Sequence, residues 1–289
     1  MTQATPPQGA YDLYDRYCHG QIDRRAFFDG LGRYAVGGLT VAGMAASLMP
    51  NYAKAQQVDP GDPSIATERY SFEAGGKTIE GLMAHPKRGD RFPAVLVVHE
   101  NRGLNPYIED VARRLAKSGY LALAPDALSP LGGYPGNDDD GRAMQRQRDR
   151  GEMLDEFATA ARLLATHRKS TGKVGAVGFC FGGAVCNRLA IEVEELAASV
   201  PYYGGWPAVE DAEKVGCPLM IHLGGLDERV NAGWPPYEAA LLSAGKEYSV
   251  HVYDGVNHGF HNDSTSRYAE EEAELSWRRT LAFFGTYLA

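Results

Sequence analysis

One heptapeptide constrains this chain more than any other: Val177-Gly178-Phe179-Cys180-Phe181-Gly182-Gly183. Lys173–Gly178 reads as a strand and Gly182–Ala190 as a helix, so the three residues Phe179–Phe181 must turn the chain between them. A turn that short brings strand and helix close together, which is why glycines flank it. It lifts the middle side chain, the thiol of Cys180, clear of the backbone. It also points the next N–H, that of Phe181, toward the same space. A helix N-terminus behind a thiol favours the thiolate. A dinucleotide-binding turn is excluded, because G-x-G-x-x-G would need glycine at position 180.

The flanking sequence repeats this alternation. Glu68–Ala74 and Lys77–His85 read as strands around Gly75-Gly76, a hairpin signal. Ala94–His99 is a continuous apolar run, suited to a central strand buried on both faces. Ile108–Ser118 has helical spacing and stops at Gly119. Tyr120–Ala124 is a strand, and the polar loop Ser129–Gly141 leads into one long helix ending near His167. Ala197–Tyr203, Pro218–Leu223 and Glu247–Tyr253 read as strands, with Trp234–Ser243 and Tyr268–Leu288 as helices. The pattern predicts an α/β fold: a mostly parallel central sheet, helices on both faces, and no large cap domain.

In such sheets chemistry collects beyond the carboxyl ends of the strands. Asp227 follows the strand ending at Leu223, and His258 follows the one ending at Tyr253. Nucleophile, acid and histidine in that chain order suit acyl transfer. A thiolate attacks a carbonyl, His258 takes and returns the proton, and Asp227 fixes the imidazole tautomer. Plainer readings exist for each residue. A buried cysteine is usually packing, which is the reading for Cys186 and Cys217. His222, within a strand, reads as a packed histidine, and His261 as lining the mouth. Glu228 is the rival acid, although Arg229 beside it suggests a solvated ion pair. The loop His99–Asn105 follows the first central strand, where this architecture takes its second oxyanion N–H. Glu100 in that loop would affect the protonation of a nearby thiol.

Taken together, V-V-H-E-N-R-G-L-N, G-Y-L-A-L-A-P-D, V-G-F-C-F-G-G, G-G-L-D and G-V-N-H-G-F resemble the dienelactone hydrolase family, carboxymethylenebutenolidases of the α/β-hydrolase superfamily. The long N-terminal extension and H-E-N-R-G-L-N-P-Y-I-E-D resemble a bacterial subgroup of uncharacterised hydrolases. The resemblance covers about residues 68–289 and implies an α/β-hydrolase fold, a Cys180-His258-Asp227 triad and no cofactor or metal. It further implies that Glu100 holds the resting thiol and that Asn101 and Phe181 donate the oxyanion N–H groups. In that family an arginine four residues after the catalytic histidine grips a substrate carboxylate; here the position is Asn262, and an amide cannot reproduce a bidentate grip. Arg102, or one of Arg142, Arg146 and Arg148, would have to compensate, the three last reading otherwise as a solvated helix face. Tyr134, Trp206 and Trp234 are candidate walls of the pocket, with Arg102, Tyr134 and Asn262 as candidate substrate contacts.

The front of the chain differs. Residues 1–55 form an extension, 56–67 (rich in Pro, Gly and Asp) a linker, and 68–289 the catalytic domain. Arg24-Arg25, the Gly/Ala-rich run Tyr34–Met49 and Ala53-Lys54-Ala55 resemble a twin-arginine export signal, which would make the protein periplasmic. Asp23 and Phe28 depart from that pattern. The alternative is a retained, cytoplasmic helical arm, supported by Tyr11, Leu13, Tyr14 and Tyr17 at helical spacing, packing on the body or on a second copy in a homo-oligomer. A net charge of −8 gives no case for nucleic acid. No apolar run is long enough for stable membrane insertion, and four cysteines without C-x-x-C spacing form neither a disulfide framework nor a zinc site. Two rivals to a small-molecule ester or lactone hydrolase remain. One is a thiol redox protein pairing Cys180 with Cys186 or Cys217; the other is a non-catalytic binding protein on the same fold.

Overall fold

A computed structural model describes residues 6–35 and 40–289; residues 36–39, inside the run Tyr34–Met49, lie outside the described residues. Eight strands form one sheet: β1 (Ile65–Ala74), β2 (Lys77–Pro86), β3 (Phe92–Val98), β4 (Leu121–Pro125), β5 (Ser170–Phe179), β6 (Leu196–Tyr202), β7 (Leu219–Gly224) and β8 (Tyr248–Tyr253). Their order is β1-β2-β4-β3-β5-β6-β7-β8. β1 and β2 pair antiparallel, as do β2 and β4, and the remaining pairs are parallel. The β1–β2 hairpin turns on Gly75 and Gly76 at φ 57° and 73°, a left-handed pair that glycine adopts without strain.

Side chains of β3 alternate between two cores, Ala94, Leu96 and Val98 on one face and Val95 and Val97 on the other. That double burial explains an apolar run without a polar side.

The α-helices of the described residues are α1 (Gln8–Cys18), α2 (Arg24–Leu31), α3 (Val41–Leu48), α4 (Pro106–Lys117), α5 (Asp138–Gln145), α6 (Arg150–Thr166), α7 (Phe181–Glu192), α8 (Glu228–Asn231), α9 (Trp234–Ser243) and α10 (Glu270–Tyr287). α6, α7 and α9 cover one face of the sheet through Phe157, Leu189 and Leu241. α4 and α10 cover the other through Val111 and Phe284. The single long helix expected before His167 is two helices. Asp149 accepts from Glu152 N at 3.0 Å and starts α6 afresh, a cap whose geometry the helical spacing alone does not reveal.

Helices α1 to α3 build a third core of their own from Tyr14, Phe27, Leu31 and Leu48. Tyr11 and Tyr14 are buried as the helical spacing requires. Asp23 caps α2 by accepting from Ala26 N at 2.7 Å, so Arg24 and Arg25 open a folded helix. This arm packs on the body of its own chain. Tyr11 Oη donates to Ser266 O (3.0 Å), and Asn101 Nδ2 donates to Cys18 O (2.8 Å). No helix of the described residues is long and apolar enough to cross a membrane.

Candidate active site

Three parallel strands deliver three residues to one edge of the sheet. Cys180 follows β5, Asp227 follows β7 and His258 follows β8. Cys180 stands at φ 57°, ψ −111°, a conformation that strains any residue with a side chain by about 1–3 kcal/mol. The surrounding glycines have no alternative. A Cβ on Gly178 would lie 2.9 Å from Cys186 Sγ, one on Gly183 2.9 Å from Gly204 Cα, and one on Gly182 against the Val98 carbonyl. α7 begins at Phe181, and the first N–H groups of a helix have no acceptor within it. That leaves the Phe181 N–H without an acceptor inside the helix.

His258 Nδ1 lies 2.6 Å from Asp227 Oδ2, while the other Asp227 oxygen accepts from Val230 N at 3.2 Å. This orients the ring and leaves its Nε2 buried without a hydrogen-bond partner. Tyr203, at the end of β6 and itself at φ 37°, packs its ring 4.9 Å from that of His258. The nearest polar partner of the sulfur comes from the arm: His19 Nε2 is 3.4 Å from Cys180 Sγ. His19 Nδ1 in turn sits 2.8 Å from Asp15 O and 3.3 Å from Asp15 Oδ1. Arg229 Nη2 lies 3.1 Å from His19 Nε2 and 3.3 Å from His258 Nδ1, and Arg229 pairs with Asp15 at 3.4 Å.

Burial by itself would push the Cys180 thiol up. The His258 and His19 imidazoles facing it outweigh burial and hold it well below the ordinary thiol range. Burial would lower the His258 imidazole, but Asp227 and the sulfur raise it to about 9. Cys186 and Cys217 behave in the opposite way. With no cation beside them, burial pushes both thiols up, Cys217 to about 12. Both sit in the apolar core, which leaves them as packing residues. The side-chain nitrogen and sulfur atoms of His19, Cys180 and His258 lie within 4.8 Å of one another.

A cavity of about 320 Å³ opens over the sulfur, lined by Cys180, His258, Phe181 and Asn101 and by His19 from the arm. Arg142, Arg146, Arg148, Arg150 and Arg229 also line it. The expectation of a solvated helix face therefore fails for Arg142 and Arg148. Both are buried, Arg142 against Asp139 and Arg148 against Glu156 at 2.5 Å. Nor does Arg229 pair with Glu228, since it reaches across to the arm.

Other expected site residues lie away from this cavity. Glu100 is buried, accepts from Asn262 Nδ2 at 2.8 Å and pairs with Arg102 at 3.5 Å; among the described residues it makes no hydrogen bond to Cys180. Arg102 is spent on Glu100 and on Asp138 at 2.7 Å, too deep to meet a substrate. Tyr134 donates to Asp138 at 3.0 Å and faces a separate depression. Trp206 and Trp234 stack on each other 5.0 Å apart, away from the cavity. His261 is buried on Phe179 with Nδ1 2.7 Å from Tyr107 Oη, and does not line the mouth. His222 is the packed histidine expected, between Tyr253 Oη at 2.9 Å and Thr280 Oγ1 at 3.1 Å.

Sequence reasoning missed His19, Asp15 and Tyr203. The one signal for His19 is a histidine at the end of an aromatic amphipathic helix, just before Gly20 at φ 71°.

Residues 79–288 match the family model described as the dienelactone hydrolase family, and residues 1–36 match one described as YqhI-like. A protein of Methylorubrum extorquens named as a carboxymethylenebutenolidase is 30% identical over 266 residues, 84% of this chain and 91% of that one. The hydrolase fragment YghX of Escherichia coli K12 is 58% identical over 105 residues, 35% of this chain and 90% of the fragment. A crystal structure described as a dienelactone hydrolase of Klebsiella pneumoniae superposes with a TM-score of 0.71 at 26% identity, covering 77% of this chain and 99% of that one.

Proposed function

The chain belongs to the dienelactone hydrolase family and is a hydrolase of ester or lactone bonds; from that premise we propose that it cleaves small esters or lactones through a cysteinyl acyl-enzyme on Cys180. The observation that carries this reading is the strained thiol at the β5–α7 turn beside the His258–Asp227 couple. Its sulfur, a thiolate, attacks the carbonyl carbon. The C=O pair moves onto oxygen, held by the Phe181 and Asn101 N–H groups. Collapse breaks the C–O bond, and the His258 imidazolium gives its proton to the departing alkoxide. Water then adds to the thioester and gives a proton back to His258, and the acid departs as the thiolate re-forms. Asp227 keeps the imidazole in the tautomer that presents Nε2.

The arginines lining the cavity support a substrate carrying a carboxylate, gripped by residues other than Asn262. Residues 1–55 are read as a retained arm, 56–67 as the linker and 68–289 as the hydrolase domain. Packing of Asp15, His19 and Tyr52 into the body supports retention, because cleavage after Ala55 would remove all three. N-terminal sequencing of the protein from cells tests this, and a start at Gln56 would make the protein an exported one.

The deciding experiment measures hydrolysis of short aryl esters and of a dienelactone by the wild type and Cys180→Ala. Turnover that disappears with the thiol is expected. Cleavage at wild-type rate by Cys180→Ala would move the nucleophile elsewhere.

A further inference from the structure

We propose that His19, carried by the N-terminal arm, is a further catalytic residue, which with Asp15 forms a second imidazole–carboxylate couple on Cys180 and keeps its sulfur a thiolate. The inference rests on the nucleophile reading above and adds a group from outside the strands that build the site.

The geometry is that of a base on a nucleophile. His19 Nε2 is 3.4 Å from Sγ, its Nδ1 hydrogen-bonds the Asp15 backbone carbonyl at 2.8 Å, and the Asp15 carboxylate lies alongside as a charge at 3.3 Å. The couple Asp227–His258 stands on the other side, with an Nε2 that has no partner. Glu100, the other carboxylate near the site, is held by Asn262 and Arg102. The arm is anchored for this role. Asn101, on the loop after β3, holds the Cys18 carbonyl, and Arg267 meets Asp15 at 3.5 Å from the α10 side.

Proton placement follows. The thiol proton moves to His19 Nε2, leaving a thiolate beside an imidazolium. His258 then keeps its own proton for the leaving alkoxide. Over one cycle His258 loses a proton to the alcohol and regains one from water, while His19 keeps the proton it took. Three anions converge on the two rings: the sulfur, Asp15 and Asp227. Arg229 opposes protonation of both rings, and Arg267 that of His19, but each is already paired with Asp15. The directions agree: the His19 imidazole is raised, and both imidazoles lower the Cys180 thiol.

The test is alkylation of Cys180 by iodoacetamide from pH 5 to 9.5 on the full chain, read by mass on the Cys180 peptide, with aryl-ester kcat/KM over the same range. Wild type should alkylate at a nearly constant rate across neutrality. His19→Gln, which keeps a polar side chain of similar length, should lose at least about tenfold in both rates near pH 6, and its alkylation rate should recover most of that loss by pH 9.5, because only His258 is then left to lower the thiol. Asp15→Asn should shift the profile the same way by less. Protease resistance of the arm in each variant separates a shifted thiol from an undocked arm. An unchanged pH profile in His19→Gln with the arm docked overturns the proposal. Faster hydrolysis in His19→Gln or His19→Ala also overturns it, because the arm would then be an obstruction. Alkylation requires no ester cleavage, so this readout stands apart from the Cys180→Ala test of the nucleophile itself.

Discussion

At Cys180 a strained backbone and a depressed thiol occur in the same residue, and together they set a pH dependence. The thiolate is fully present at neutrality and is lost only as pH falls through the lowered thiol value. His258 is raised to about 9, so under the proposed mechanism it holds the leaving-group proton through neutrality and loses it as pH rises through that value. The kcat/KM profile should therefore be a plateau across pH 7 with an alkaline fall near 9. A profile that climbs through pH 8 would mean an ordinary thiol. Asp227→Asn should cut kcat by roughly 10⁴-fold through the wrong imidazole tautomer, measured with a short aryl ester, while the fold persists. Cys180, Asp227 and His258 were legible because each follows its own strand and local turn chemistry marks the place. Partner choice is not local. Glu100 faces Asn262 and Arg102, and His19 reaches Cys180 across 161 residues. No spacing rule joins positions so far apart.

The elements divide in the same way. The central strands β3, β4, β6 and β7 could be read because burial on both faces of a parallel sheet leaves an apolar run, and β1 and β2 because Gly75-Gly76 marks their hairpin. The break between α5 and α6 could not, since helical periodicity continues through it and only the Asp149 cap interrupts the backbone. The arm read as a helix with an aromatic face, but its destination did not, because an amphipathic face says that it packs and not on what. Its separate apolar core makes a prediction at this scale. Phe27 is fully buried among arm residues alone, stacked on Tyr17 with centroids 4.8 Å apart. Phe27→Ala removes about 3–5 kcal/mol from that cluster. Limited proteolysis should then cut the arm within residues 1–55 while the melting of the sheet domain stays within a few degrees. A matching fall in both would mean that arm and domain unfold as one unit.

Across the whole molecule the charge is −8, yet the cavity over the sulfur is walled by arginines. A negative chain repels anions at long range, so an anionic substrate must be captured locally. Three of the arginines are committed: Arg142 to Asp139, Arg148 to Glu156 and Arg229 to Asp15. Arg146 and Arg150 are exposed at the rim and pair with no carboxylate among the described residues. They are the cations left to meet a carboxylate. Exposed pairs contribute only about 0.2–1 kcal/mol each, so the double variant Arg146→Gln, Arg150→Gln should raise KM for a carboxylate-bearing ester by up to about thirtyfold. It should leave kcat, and the KM of a neutral ester of the same size, unchanged. Rising salt should weaken the anionic ester in the wild type and much less in the double variant, because screening acts on solvent-exposed charges. Equal losses for both esters would show that the two arginines shape the wall of the cavity and do not select by charge.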